Sequence, residues 1–280
     1  MSELKMSLSP HLHGGDCIKR NTYGVILALV PALLMAVFSY GLNAIYLGCY
    51  SLASCLLSEW LITRYVMRRP CTLADGTAVI TAFVMALCLP VRTPFWAVAL
   101  GAVGAIGLGK LVYGGVGRNS VNPAIVGVCV TLMCPGSSVL SPGMGYGVKS
   151  PYLFAFAIIA GLAFMLWKRI ITWHIPLSII LTSIVLAGVT AVVDPAYADP
   201  RNLVLGGGML LGAVFMATDY TTSPMSRPGK VFYGIAIAAI AVMLRTHGED
   251  RNAMLIAIFA MNLLAPIVDR IFKPRRYGKA

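Results

Sequence analysis

Apolar runs of about membrane-spanning length follow one another along the 280-residue chain from Gly24 to Val268, separated by short polar interruptions. Ten spans are predicted, centred near residues 32, 54, 83, 102, 130, 159, 184, 210, 238 and 261. The predicted class is therefore all-α, a polytopic membrane protein of about ten transmembrane helices. No second soluble domain fits between the runs, so 1–280 is expected to form a single integral membrane domain. Its parts are a cytoplasmic N-terminal segment (1–22), a first half (23–140), a second half (141–272) and a basic cytoplasmic tail (273–280). Glu3, Lys5, Asp16, Lys19 and Arg20 occupy the first twenty residues without an apolar core, so a secretory signal peptide is not expected.

Composition agrees: 58% of residues are hydrophobic, 11% are charged, and the mean hydropathy is +0.81. With the N-terminus inside, 17 of the 22 basic residues, Lys110 among them, fall on inside segments and 5 on outside ones. Cations resist translocation, so both termini are expected to face the cytoplasm. The net charge of +12 is spread over loops and a KPRRYGK tail, which suits anionic lipid headgroups of the bilayer and argues against nucleic acid. Seven scattered cysteines, with no C-x-x-C, predict neither a disulfide framework nor an iron–sulfur or zinc site, and no metal is expected.

Local punctuation has plain readings. Trp167 and Trp173 bracket Lys168 and Arg169 as interfacial anchors, and His174 reads as part of that anchor before it reads as a proton relay. Glu59, five residues before Arg64, is expected to snorkel to the interface. Gly101, Gly104, Ala105 and Gly109 mark a close-packing face in the fourth span.

Several features return after about 133 residues: Arg118-Asn119 as Arg251-Asn252, Met85-Ala86 as Met216-Ala217, and Pro94 as Pro228. In order, they predict an inverted five-plus-five repeat with broken helices, since an odd number of spans per half turns the second half upside down.

Two stretches interrupt the apolar pattern in a way that carries chemistry. In GGVGRNSVNPAIVG, Gly114, Gly115 and Gly117 weaken any helix, and Pro123 biases Asn122 away from helical geometry. A new helix is expected to start at Pro123, with Asn122 as its cap and Arg118 and Asn119 nearby; its free N–H groups attract an anion. An ordinary cytoplasmic loop with a good cap explains the stretch equally well. In MATDYTTSPMSRPGK, Thr218, Asp219, Thr221, Thr222 and Ser223 concentrate oxygen atoms at the end of the eighth span, and Pro224 and Pro228 stop the helix. Thr218, Asp219, Thr222 and Ser223 are candidates for an ion path or a ring ligand, with turn chemistry as the plainer account.

The blocks SPHLHGGDCIKRNTYGVILALVPALL, DGTAVITAFVMALCLP, YGGVGRNSVNPAIVG, ITWHIPLSIILT, MLLGAVFMATDYTTSP and PRRYGK run in order over nearly the whole chain. Together they resemble RnfD, the D subunit of the Rnf ion-translocating electron-transport complex, and, more distantly, NqrB, the B subunit of the sodium-translocating NADH:quinone oxidoreductase. The resemblance implies a ten-helix inverted repeat in a prokaryotic plasma membrane. It also implies a non-autonomous subunit of a ferredoxin:NAD oxidoreductase that couples electron flow to sodium or proton movement. Its implied partners are membrane iron–sulfur subunits, an FMN-bearing subunit, and ferredoxin-like and NADH-binding subunits. The family carries covalent FMN on the threonine of a D-G-x-S-x-A-T-P-like motif between the fifth and sixth spans. Here that segment is GSSVLSPGMGYGVKS, Gly136 to Ser150, and contains no threonine. No covalent FMN residue is identifiable, so FMN or another flavin is expected to be non-covalent if bound. Gly114, Gly115, Gly117, Arg118, Asn119 and Asn122 are the candidate contacts, and no residue is assigned as catalytic. A channel or transporter for a small solute is the alternative, because inverted five-plus-five folds also serve solute uptake.

Overall fold

A computed structural model describes residues 18–69, 72–115, 117–135, 150–193, 208–248 and 252–273. The loop 136–149, Arg201, Arg251, Cys17, Cys71 and the tail 274–280, on which parts of the readings above fall, lie outside the described residues.

Ten helices and no strand are found among the described residues. The first half contains α1 (Ile18–Tyr40), α2 (Leu42–Leu61), α3 (Thr77–Cys88), α4 (Phe95–Val103) and α5 (Pro123–Leu132). The second contains α6 (Pro151–Trp167), α7 (His174–Val193), α8 (Met209–Leu211), α9 (Arg227–Thr246) and α10 (Ala253–Ile271). Three of them run on into wider π-helical turns: α2 through Ile62–Val66, α4 through Gly104–Leu111 and α8 through Gly212–Met216.

Five helices, α1, α2, α7, α9 and α10, are long and apolar enough to cross a membrane. The ten predicted elements are therefore present, but not all as full spans. The 12 residues of α3 make a helix of about 18 Å, well short of a hydrocarbon core of about 30 Å. Proline explains the early stop, because Leu89 before Pro90 is pushed into the extended region (ψ 147°). The eighth element is shorter still, and non-helical chain follows both.

The two halves pack by one plan. In the first, α3 contacts α1, α2 and α5, α2 contacts α4, and α4 contacts α5. In the second, α8 contacts α6, α7 and α10, α7 contacts α9, and α9 contacts α10. Each of these pairings has its counterpart five helices later, as the internal echo predicts. Met85 and Met216 fall in the last turn of the third helix of each half. One pairing shifts: the fifth helices start at Asn122 and Asn252, so these two asparagines are structural equivalents, not Asn119 and Asn252.

The halves meet along α1 and α6, where small residues let backbones touch. A Cβ on Gly161 would lie 2.5 Å from the carbonyl oxygen of Ala28. They meet again where the two short helices end, with Cys88 Sγ 3.8 Å from Met216 Sδ. The expected close-packing face of α4 is real: a Cβ on Gly101 would collide with Thr131 Oγ1 of α5, and one on Gly109 would lie 2.8 Å from Pro123 Cα.

Candidate functional site

Where α8 stops and α5 starts, one side chain joins them. Asn122 Oδ1 accepts the backbone N–H of Ala124 at 2.9 Å, capping α5, and Asn122 Nδ2 donates to the carbonyl of Met216, the last residue of the α8 stretch, at 3.3 Å. Two orphan groups left by broken helices are satisfied by the same amide.

The broken ends border a cavity of about 370 Å³, within the usual range for small-molecule sites. Gly117, Asn119 and Asn122 come to its wall from one break, and Thr218, Asp219 and Thr221 from the other. Apolar walls come from Ile80 and Val84 of α3, Phe215 of α8 and Ile171. Asp219 is held by its own turn: Thr221 donates Oγ1 to Oδ2 at 3.1 Å and its N–H to Oδ1 at 3.5 Å. Asn119 and Thr222 stand beside the same carboxylate. Buried Thr222 Oγ1 stops short of a formed hydrogen bond.

The remaining predicted residues are placed otherwise. Gly114, Gly115 and Gly117 all have positive φ (105°, 105° and 89°), so glycine is required for the backbone path of the break. Gly114, Gly115 and Arg118 do not line the cavity; Arg118 is exposed, and a Cβ on Gly114 would lie 3.3 Å from its Cδ. Ser223 lines a smaller polar recess next to the cavity.

Glu59 corrects an expectation. It does not snorkel: it is 0% exposed, and Lys110 of the α4 stretch donates to its Oε1 at 2.6 Å. Thr72 donates to the same oxygen, and Lys110 also reaches Thr77 Oγ1 at 2.7 Å. Lys110, counted with the inside cations from sequence, is 3% exposed and faces the cavity. Snorkelling fails because α2 packs against α4, which puts an opposite charge within reach of the carboxylate. Sequence reasoning missed this pair, although two opposite charges inside glycine-rich and apolar runs were a usable signal. The anchor reading of His174 agrees with its ring stacked 4.2 Å from that of Trp173. No group of three or more His, Cys, Asp or Glu residues suited to a metal occurs among the described residues.

The family model described as NQR2, RnfD, RnfE family matches residues 5–141 and 144–278. The chain belongs to this family. Among its relatives, the D subunit of the Na(+)-translocating ferredoxin:NAD(+) oxidoreductase complex of Acetobacterium woodii is 30% identical, covering 99% of this chain and 97% of the relative. The D subunit of the ion-translocating oxidoreductase complex of Stutzerimonas stutzeri is 30% identical over 91% and 90%. The D subunit of the proton-translocating ferredoxin:NAD(+) oxidoreductase complex of Clostridium ljungdahlii is 26% identical over 98% and 96%. In this family member residues of the two interrupted stretches line one cavity.

Proposed function

We propose that the chain is the membrane-embedded D subunit of an Rnf-type complex that couples ferredoxin:NAD oxidoreduction to sodium or proton translocation. The cavity between its broken helices would hold a flavin non-covalently. The carrying observation is the convergence of Asn119, Asn122, Thr218 and Asp219 on one space that Ile80, Val84, Met165 and Phe215 also line. Flat aromatic ligands favour that division of labour, with apolar side chains against the ring faces and amides, hydroxyls and a carboxylate at the edges. Bound there, a flavin would accept and donate one or two electrons.

The chain's own residues set the conditions for that chemistry. Asn122 holds the two breaks together, and Thr221 holds Asp219 in place, so the polar edge is organised before a ligand arrives. Ile80, Val84 and Phe215 exclude water from the cavity's apolar side. Buried Lys110 also reaches this wall, with its charge balanced by Glu59. Arg169 and Lys230, in the smaller recess beside the cavity, support a cavity that faces the cytoplasm, where soluble redox partners of the complex would dock.

The test is ion uptake driven by reduced ferredoxin and NAD in inverted membrane vesicles, comparing wild type with Asp219→Asn. Electron transfer that persists while uptake of sodium or protons falls supports a coupling role for this site. Unchanged uptake and turnover contradict it.

A further inference from the structure

The break that carries Asp219 rests on the α9–α10 pair. Ser226 Oγ accepts the N–H of Gly229 at 3.1 Å, capping α9, and Asp269 of α10 accepts the N–H of Met225 at 2.9 Å. A Cβ on Gly229 would lie 3.3 Å from Pro224 and 3.5 Å from Val268, so loop, α9 and α10 meet closely. Inward from this junction, Tyr233 of α9 donates its hydroxyl to Asn262 Oδ1 of α10 at 2.5 Å. Both side chains are 0% exposed, and Thr222 of the break is 2% exposed. None of the three lines the cavity or the recess beside it. Asp219 has Thr222 beside its carboxylate and Tyr233 within electrostatic range. Two donors on different elements are left over, because Asn262 Nδ2 and Thr222 Oγ1 find no hydrogen-bond partner among the described residues. Inside a membrane bundle such groups are costly, since lipid offers no acceptor.

The chemistry of these groups selects the ligand. A cation would face the N–H groups of Asn262, an anion would face Asp219, and an apolar group would leave both donors unmet. Water accepts and donates, so it suits all four partners. We propose that Thr222, Tyr233 and Asn262 form a buried water site behind Asp219, distinct from the cavity, and that the water held there fastens the second break to α9 and α10. The water accepts from Asn262 Nδ2 and Thr222 Oγ1 and donates to the Asp219 carboxylate and the Tyr233 hydroxyl oxygen, a full set of bonds for a buried water. Thr222, Tyr233 and Asn262 are thus positioning residues that act on Asp219 through this water. The site does not depend on what the cavity holds.

The test is a cryo-EM map of the whole complex at a resolution that shows ordered water, paired with amide hydrogen exchange on the same preparation. Wild type is expected to show a peak about 3 Å from both Asn262 Nδ2 and Thr222 Oγ1, and the Thr222→Val/Asn262→Leu variant to lack it. In that variant the amides of 221–226 are expected to exchange roughly tenfold faster, while those of α1 and α6 keep their wild-type rates and report an intact fold. Should α1 and α6 loosen as well, Thr222→Val alone, which trades a hydroxyl for a methyl group, decides by the same two readings. A wild-type map without the peak, with Asn262 Nδ2 and Thr222 Oγ1 bonded directly to protein, overturns the site. A peak in wild type whose loss leaves exchange at 221–226 unchanged overturns the fastening role.

Discussion

Asn122 donates to the carbonyl of Met216, 94 residues away, while its own oxygen starts α5. One amide thus ties the beginning of a helix in the first half to the end of a helix in the second. The asparagine is buried, so a group left without its partner there is poorly solvated. Asn122→Ala is expected to lower stability by roughly 2 kcal/mol, combining a lost cap with an unsatisfied carbonyl. Asn122→Asp keeps an acceptor for Ala124 but has no donor for Met216, and should fall between alanine and wild type. Thermal unfolding in detergent measures the order, and an Asn122→Asp protein as stable as wild type would remove Met216 from the account.

The buried Glu59–Lys110 pair predicts non-additive damage. Removing one partner by Glu59→Gln or Lys110→Met leaves the other desolvated, at a cost of about 3–5 kcal/mol. The double variant should recover a large part of that loss, since two neutral groups need no counter-charge. A double-mutant cycle on unfolding midpoints checks this, and additive losses would show that the two charges do not depend on each other.

Packing between α4 and α5 leaves no room for a methyl group at Gly101, whose Cβ would also lie 2.8 Å from the backbone oxygen of Gly127. Gly101→Ala is expected to destabilise by about 1–3 kcal/mol. A methyl group on Gly48 in α2 would meet nothing within 4 Å, so Gly48→Ala should be neutral or stabilise by up to about 1 kcal/mol through helix propensity. Equal effects at the two glycines, read from thermal melts, would contradict the close crossing.

Much of this architecture is legible in the order of residues. Apolar period and length place all ten elements, Pro123 and Asn122 announce the start of α5, and the repeated Met-Ala pair marks equivalent helix ends. The short span of α3 is harder to see, because Leu89, Pro90 and Val91 continue the apolar run, and hydropathy cannot tell an extended buried chain from a helix. Glu59 invites misreading for a related reason: its nearest cation in sequence is Arg64, whereas its partner in space is Lys110 on another helix. The two breaks are each recognisable as polar interruptions, but their meeting depends on α8 ending against α5, a tertiary fact that no single stretch encodes. Arg118 draws attention by adjacency to the asparagines, yet the glycine-rich turn carries it outward, and the cations that line the paired spaces are Lys110, Arg169 and Lys230.

The central proposal is that the space between the two breaks holds a flavin without a covalent bond. Acid precipitation of the purified complex, followed by identification of flavin in the supernatant and in the pellet, with flavin attached to this chain read from its gel band, tests it most directly. The account predicts flavin released from this subunit into the supernatant, and lost when Asn119 and Asp219 are replaced together by leucine. Release unchanged by that replacement, or flavin remaining bonded to this chain in the pellet, would contradict it.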